Sequence, residues 1–424
     1  MNVAGLRVLV VLPMYGGSLP VGRSCVRALA GLGALTEVFD APDFYPAFRA
    51  LEGLRVTPER LDHLEQSFLQ VVSQAVLAKT ETFEPDLVLA LAQAPLSRQA
   101  LKRLRRDGVA TAMWFVEDYR LFPYWEAYAP LYDLFAVIQR EPFRAKLAEI
   151  GAANTVYLPL AADPDFHKPL ELSAVERRRF ASDVSFMGAG YPNRRRAFRE
   201  LMQYDFKIWG NDWEGETALA ALLQDPTRRV APEETVKIFN ASKINLNLHS
   251  STEPGVLVPR GDFVNPRTFE LAMCGAFQLV DKRALLPELF ATDELAAFSD
   301  IAELREKIDY YLAHDDERAE VAARARSRAL RDHTYAARMQ TLLDYAAQVL
   351  PGWPRPRASE PALAGLPENL RAEVAGLISR LGLPQNAAFG DLIWALRREQ
   401  GKLTSLETSL LFLDEWRKQY VKTG

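Results

Sequence analysis

The stretch Asn265 to Asp281, NPRTFELAMCGAFQLVD, predicts a helix that runs directly into a buried strand. Asn265 is suited to accept a hydrogen bond from the first helical turn, and Pro266 has the backbone angle that a first helical residue needs. Gly275 is placed for the left-handed residue that ends a helix, and Ala276 to Val280 is an apolar run of strand length. A helix leading into a strand is a unit of a layered α/β fold.

Two charges on this short helix, Arg267 and Glu270, indicate a ligand at its start. A helix N-terminus offers unpaired N–H groups and a partial positive charge, which suit a diphosphate, and Arg267 adds a forked donor. Thr268 lies in the same turn, and Glu270 can accept two hydrogen bonds from a ribose diol. The alternative is a pair of solvated charges on an amphipathic helix.

Residues 265–281 resemble the donor-binding segment of GT-B glycosyltransferases, and more narrowly of the CgeB-like branch, in which R-x-F-E and A-x-C-G lie at the nucleotide-sugar site. The resemblance implies an α/β fold of two Rossmann-like domains that face a cleft. It also implies a donor linked to UDP, GDP or dTDP, with no metal and no further cofactor. Asp262, eight residues before Glu270, stands where many members have an acid beside the sugar.

Composition sets the class of protein. A chain of 424 residues can hold two domains or a little more, and its net charge of -4 gives no overall attraction to nucleic acid. Cys25 and Cys274 are expected to be buried thiols of a reducing compartment, without metal-ligand spacing. The first apolar run, Leu6 to Leu12, is too short for a signal peptide or a membrane span. A cytoplasmic protein is therefore expected.

Residues 1–169 are predicted to form the first domain, which the resemblance assigns to the acceptor. Its strands and helices alternate, beginning with the strand Arg7 to Leu12, which is typical of a parallel sheet covered on both faces. Gly16 and Gly17 follow this strand and are expected to form a pocket wall, unless they make a simple turn. Glu117 and Asp118 follow a later strand, so they are either catalytic carboxylates or caps of the next turn.

The second domain is predicted at residues 170–350, after the Pro-rich connector Leu158 to Pro169, in which His167 is expected to be exposed. Its first strand ends in a glycine loop with Gly188 and Gly190, followed by Arg194 at a helix start. This loop is a second place where phosphate can meet backbone N–H groups, although the arginines there also read as a solvated helix face.

Polar and aromatic residues at two further strand ends complete the candidate donor site. The resemblance implies that the turn at Trp209 and Gly210 lies near the nucleotide base, which needs an aromatic or apolar wall, with burial of the tryptophan in the core as the alternative. Asn247 and His249 are either hydrogen-bonded to the next strand or face the ligand, where His249 is a candidate catalytic contact. The resemblance also implies that the domain's last helix, which begins near His333, crosses back to the first domain.

The sequence thus predicts a glycosyltransferase that moves a sugar from a nucleotide-diphosphate donor to a hydroxyl of a glycan, protein or small acceptor. A sugar-nucleotide epimerase and a non-catalytic GT-B scaffold are the alternatives. Residues 351–361 hold four prolines and predict a linker. Residues 362–424 predict three amphipathic helices that need a partner surface, a bundle of their own or a second subunit.

Overall fold

The computed structural model describes residues 1–225, 229–251, 257–258, 262–354 and 362–420. They divide into two compact units, Met1–Trp353 and Pro354–Gly424. The first unit contains two parallel sheets of six strands each, covered by helices. The predicted α/β class is confirmed. Residues 355–361 of the predicted linker and the last four residues of the predicted extension lie outside the described residues.

The first sheet has the strand order β2-β1-β3-β4-β5-β6. Its elements are β1 (Arg7–Val11), α1 (Ser18–Gly31), β2 (Leu35–Phe39), α2 (Tyr45–Glu52), α3 (Pro58–Phe83), β3 (Leu87–Leu91), α4 (Arg98–Arg106), β4 (Ala110–Phe115), α5 (Trp125–Tyr128), β5 (Leu134–Val137), α6 (Phe143–Glu149) and β6 (Thr155–Tyr157). Strands β1 and β3 are buried along their whole length, because helices cover both faces of the sheet.

The second sheet has the order β12-β11-β10-β7-β8-β9. Its elements are α7 (Ala174–Phe180), β7 (Ser182–Met187), α8 (Pro192–Arg199), β8 (Phe206–Trp209), β9 (Leu223–Gln224), α9 (Pro232–Ala241), β10 (Ser242–Asn247), α10 (Pro266–Met273), β11 (Gln278–Asp281), α11 (Leu286–Leu289), β12 (Ala296–Phe298), α12 (Ile301–Ala313), α13 (Asp315–Asp332) and α14 (Tyr335–Val349). The strand order reverses between β7 and β10, and in open α/β sheets ligands bind at the carboxyl ends of the strands at such a point.

The last helix of the first unit, α14, returns to the first sheet. The Arg338 guanidinium at its start donates to the carbonyl oxygens of Pro159 and Leu160, which follow β6. Tyr345 donates to the Thr155 carbonyl from the same helix. The helix therefore packs against both sheets, and its buried residues Met339 and Leu343 belong to one core with Phe269 of α10.

The second unit contains α15 (Glu368–Arg380), α16 (Phe389–Arg398) and α17 (Ser405–Tyr420). Val374, Ile378, Leu392 and Leu396 lie at its centre and are almost fully buried. The predicted amphipathic helices therefore have a small apolar core of their own. In the parts of the chain that the structure describes, no helix combines the length and the apolar character needed to cross a membrane.

Candidate functional site

Helix α10 begins as the sequence predicts. The Asn265 side chain accepts from the Thr268 N–H at 3.1 Å, and Pro266 is the first helical residue. Gly275 ends the segment with φ of +65°, the left-handed conformation that favours glycine. Pro266 has no N–H, and the Thr268 N–H donates to the Asn265 side chain. The Arg267 N–H is therefore the donor of the first turn that has no partner among the described residues.

A frame of buried polar side chains fixes this helix start to β10 and β11. Asn247 donates to Thr268 Oγ1 at 2.8 Å and to Gln278 Oε1 at 2.9 Å, and it accepts from Asn265 Nδ2 at 2.8 Å. Asn247 and Thr268 are at most 1% exposed. Asn247 was expected either to bond the next strand or to face the ligand, and the structure shows that it bonds Gln278 of the next strand. Because Thr268 is buried against Asn247, both residues position the helix rather than face the cleft.

His249 belongs to the same frame. Its Nε2 accepts from the Asn265 backbone N–H at 2.9 Å, so its Nδ1 carries the hydrogen and donates to Asp281 at 2.7 Å. The ring is fully buried, and burial lowers the pKa of His249, which keeps it neutral. The expectation of a catalytic contact is corrected, because both ring nitrogens already bond protein groups.

Arg194 is also an internal residue. Its Nε and Nη2 donate to the Leu248 carbonyl at 3.0 and 2.7 Å, and its Nη1 donates to the Ala189 carbonyl at 2.9 Å. Desolvation lowers the pKa of Arg194 to about 10, so the group stays charged at neutral pH. Arg194 thus ties the exits of β7 and β10 together and places a buried positive charge between them. Its contact with a phosphate remains a prediction.

The glycines of the second sheet serve the packing of two loops. A Cβ at Gly190 would lie 2.2 Å from the Asp212 carbonyl oxygen, and one at Gly210 would lie 2.4 Å from that of Gly188. The loops after β7 and β8 are also joined by the hydrogen bond from Gly188 N to the Trp209 carbonyl. Only glycine allows this close approach of the two loops. The packing of the loops therefore explains the glycines at these positions without phosphate binding.

Trp209 does not line an open pocket. Its side chain is 2% exposed and packs with Phe180 and Ile238 in a small core. The expectation that its ring contacts a base is therefore corrected in favour of the core alternative. Trp213 is buried as well, and its indole N–H donates to the Gly188 carbonyl at 3.1 Å.

The groups that face outward from this frame are Arg267, Glu270 and His167. Arg267 Nη1 lies 2.6 Å from Glu270 Oε2, and the two side chains are 23% and 18% exposed. The Arg267 guanidinium stacks over the Phe239 ring at 4.7 Å, which fixes its direction. His167 is only 12% exposed at its side chain and lies beside Glu270, so the expectation that it is simply exposed is wrong.

On the first sheet, Glu117 stands beyond the carboxyl end of β4. It accepts from the Tyr124 hydroxyl at 2.9 Å and from the Gln93 amide, while the Gln93 backbone N–H donates to the same hydroxyl at 3.0 Å. Burial raises the pKa of Glu117 above its usual range. Gly16 lies beside Gln93, so the glycine loop and Glu117 share one wall. A carboxylate held by two neutral donors keeps lone pairs for a substrate hydroxyl.

Asp118 and Asp262 both lie near the Gln139 amide, at the boundary between the sheets. Asp118 accepts from the Arg120 N–H at 3.0 Å, which is the turn-capping alternative. Asp262 accepts from Gln139 Nε2 at 3.1 Å and from the Arg140 N–H at 2.8 Å, both just after β5. The carboxyl ends of the two sheets therefore face each other. Asp262 is bonded to the first domain, and a sugar contact by this residue remains a prediction.

A surface cavity of about 240 Å³ lies elsewhere, beside Lys243 at the amino end of β10 and Arg318 of α13. Lys243 pairs with Asp183 at 2.7 Å, and Arg318 pairs with Asp315 at 2.8 Å. Its polar groups are therefore paired with one another. The candidate site is assigned to the facing carboxyl ends instead.

Sequence reasoning missed four polar residues of the site. Gln93 and Tyr124 hold Glu117, Gln139 bonds Asp262 of the other domain, and His167 lies beside Glu270. Gln139 could have been found, because it directly follows the apolar run Leu134 to Ile138, which has strand length, and carboxyl ends of parallel strands meet at one edge. Gln93 and Tyr124 contact each other across 31 positions of the chain, and no local pattern predicts such a pair.

Comparisons with known proteins agree with the two-domain α/β fold. Residues 194–344 match a family model described as glycosyl transferase-like. Spore protein CgeB of Bacillus subtilis (strain 168) is 25% identical over 273 residues, which cover 62% of this chain and 83% of that protein. Anabaena HepE in complex with UDP-glucose has a TM-score of 0.54 at 14% identity, covering 81% of this chain and 99% of that one. A sucrose-phosphate synthase from Thermosynechococcus elongatus has a TM-score of 0.55 at 12% identity, covering 81% of this chain and 99% of that one.

Proposed function

We propose that this chain, a CgeB-like glycosyltransferase of GT-B fold, transfers a sugar from a nucleoside diphosphate donor to an acceptor hydroxyl. HepE was solved with UDP-glucose and with UDP, so a UDP-sugar is the first donor to test, before GDP- and dTDP-sugars. The acceptor is a glycan, a protein or a small molecule. We further propose that the enzyme is cytoplasmic and needs no metal ion or other cofactor.

The observation that carries this proposal is the Arg267 and Glu270 pair on a helix start held by a buried polar frame. The two charges lie within one helical turn, at the carboxyl ends of β10 and β11, where α/β folds bind nucleotides. Arg267 offers its N–H and its guanidinium to a phosphate, while Glu270 accepts from ribose hydroxyls. A frame held by several internal hydrogen bonds is preorganised, so it reorganises little as charge develops.

The leaving diphosphate gains negative charge as the bond between the anomeric carbon and the phosphate oxygen breaks. Arg267, the helix start and the buried charge of Arg194 stabilise that charge electrostatically. The acceptor oxygen forms the new bond to the anomeric carbon and gives up its proton. The products are the glycosylated acceptor and a nucleoside diphosphate.

We propose that Glu117 is the general base that takes the proton from the acceptor hydroxyl. Burial raises the pKa of this carboxyl, which makes it a stronger base, and the Tyr124 and Gln93 hydrogen bonds fix its orientation. Asp118 is the neighbouring alternative, but its carboxylate caps a turn. The glycine loop at Gly16 and Gly17 forms the adjoining wall of the acceptor pocket.

The direct test is turnover with UDP-glucose, GDP-mannose and dTDP-glucose, each with a mixture of candidate acceptors, measured by release of nucleoside diphosphate. The proposal expects release with one donor that depends on an acceptor and falls at least about 10-fold in Glu270→Ala. Formation of a different nucleotide sugar would identify an epimerase. Absence of donor binding and of turnover would favour the non-catalytic scaffold.

A further inference from the structure

His167 lies on the connector that leaves the first sheet, yet its side chain contacts the candidate donor site. Its Nε2 is 3.9 Å from Glu270 Oε1, and the two side chains are 12% and 18% exposed. The ring packs edge-on against Phe166 with centroids 5.0 Å apart. Both polar groups therefore open onto the same small space beside α10.

The hydrogen bonds of the connector fix which nitrogen of His167 carries the hydrogen. The Asp163 backbone N–H donates to Nδ1 at 3.1 Å, so Nδ1 is the acceptor and Nε2 is the donor of the neutral ring. Burial lowers the pKa of His167, which favours the neutral form. The Nε2–H has no hydrogen-bond partner among the described residues, because 3.9 Å is too long for a bond to Glu270.

We propose that His167 is a ribose-binding residue, and that a ribose hydroxyl of the donor accepts from His167 Nε2–H while it donates to Glu270. This inference rests on the proposed function, since it assumes that a nucleotide occupies the site. A hydroxyl is both donor and acceptor, which is what a facing N–H and carboxylate require. Two hydrogen bonds of about 2.9 Å span at most roughly 5.8 Å, so one oxygen can bridge a gap of this size.

The same contact joins donor binding to the connector between the domains. The Asp163 carboxylate, four residues before His167, pairs with Arg27 of α1 at 2.7 Å. Asp163 therefore holds the connector to the first domain with its side chain while its backbone N–H orients the His167 ring. A ribose bound by His167 and Glu270 contacts the connector and the second domain at once.

The test is calorimetric titration with UDP, 2′-deoxy-UDP and 3′-deoxy-UDP of the full chain and of His167→Phe and His167→Gln. Phenylalanine keeps the contact with Phe166 but removes the donor, whereas glutamine returns an N–H group. The wild type should bind one deoxy analogue about 10-fold more weakly than UDP. His167→Phe should weaken UDP binding by about the same factor and reduce that difference, and His167→Gln should recover part of both.

Two results would overturn the proposal. Equal weakening of UDP and both deoxy analogues in His167→Phe would show that the residue only supports the fold, and unchanged UDP affinity would show that it does not contact the nucleotide. Thermal unfolding of each variant checks that the fold is retained. Failure of the wild type to bind UDP, GDP or dTDP is a separate result, which overturns the proposed function and this inference together.

Discussion

The carboxyl ends of the two sheets differ in how their polar groups are held. At the second sheet, the side chains of Asn247, Thr268 and His249 are buried and hydrogen-bonded within the protein. Those of Arg267, Glu270 and His167 are partly exposed. At the first sheet, the carboxylates of Glu117 and Asp118 are themselves partly buried and partly accessible, and each accepts hydrogen bonds from a few protein donors.

This difference indicates that the carboxyl ends of the two sheets, here called the two walls of the site, have different functions. A rigid, hydrogen-bonded frame suits a constant ligand part, such as ribose and diphosphate, because it loses little free energy to reorganisation. A wall of partly buried carboxylates suits proton transfer and a variable acceptor, because burial tunes the pKa and the remaining lone pairs stay accessible. The following predictions test that difference in function, beginning with the largest expected effect.

Asn247→Leu should destabilise the first unit by about 4 kcal/mol, because it leaves buried groups of Thr268, Gln278 and Asn265 without partners at once. The matched change on the other wall, Glu117→Gln, should alter stability by less than about 1 kcal/mol. Chemical denaturation of both variants measures the free energies of unfolding. Equal effects would contradict the distinction between a rigid and an adaptable wall.

Glu117→Gln should instead lower kcat by about 100-fold, which is typical for loss of a general base. In the wild type, kcat should fall as pH drops through the raised pKa of Glu117, at a higher pH than an ordinary glutamate gives. Asp118→Asn is the matched control, and its kcat should show the same fall at low pH, the acid limb of the pH profile. If Asp118→Asn removes the limb and Glu117→Gln does not, the roles of the two neighbours are reversed.

The two walls should also respond to acid in opposite directions. Burial lowers the pKa of His333, which packs on α10, to about 4. The unfolded chain takes up this proton at its ordinary pKa near 6.5, so the stabilisation is complete above that pH and is lost as the pH falls toward 4. Glu117 has a raised pKa when folded, so its contribution rises as the pH falls.

The wild type should therefore lose about 2 kcal/mol through His333 between pH 7 and pH 5. His333→Gln should show a correspondingly smaller loss, and Glu117→Gln a larger one, in denaturation curves recorded at both pH values. An unchanged pH dependence in His333→Gln would show that this histidine is not held neutral in the folded protein.

The smallest effect is expected at the contact between the walls. Asp262→Asn weakens the acceptance of hydrogen bonds from Gln139 and from the Arg140 N–H, so exchange of the Arg140 amide should rise about 10-fold. Glu288→Gln removes the half-exposed pair with Arg140 and should change exchange little. Hydrogen exchange measured by NMR or mass spectrometry distinguishes them. If Glu288→Gln raised exchange of the Arg140 amide more than Asp262→Asn did, the two walls would be held together mainly by the surface pair of Arg140 and Glu288.

Local patterns predicted the fold and the helix at the centre of the site. The cap at Asn265, the first-turn proline and the left-handed Gly275 act within a few residues, and the structure confirms each of them. The alternation of helices with continuous apolar strands likewise predicted the first parallel sheet, because such strands are typical of a sheet covered on both faces. The arrangement of two such domains was implied by the family resemblance.

The sequence could not predict which polar residues face inward. His249 and Arg267 both lie beside the predicted helix start, yet His249 is fully buried and Arg267 is not. That difference depends on Asp281, which lies 32 positions from His249 in the chain. The position of His167 was missed for the same reason, since Glu270, beside which it lies, is more than a hundred residues away in the chain.

The most direct test is calorimetric titration of UDP, GDP and dTDP into the wild type, Arg267→Ala, Glu270→Ala and Glu117→Gln. The wild type should bind one diphosphate at micromolar strength. Arg267→Ala and Glu270→Ala should each lose about 1 to 3 kcal/mol of binding free energy, and Glu117→Gln should lose almost none. Equal loss in all three variants, or no binding by the wild type, would contradict a donor site on the start of α10.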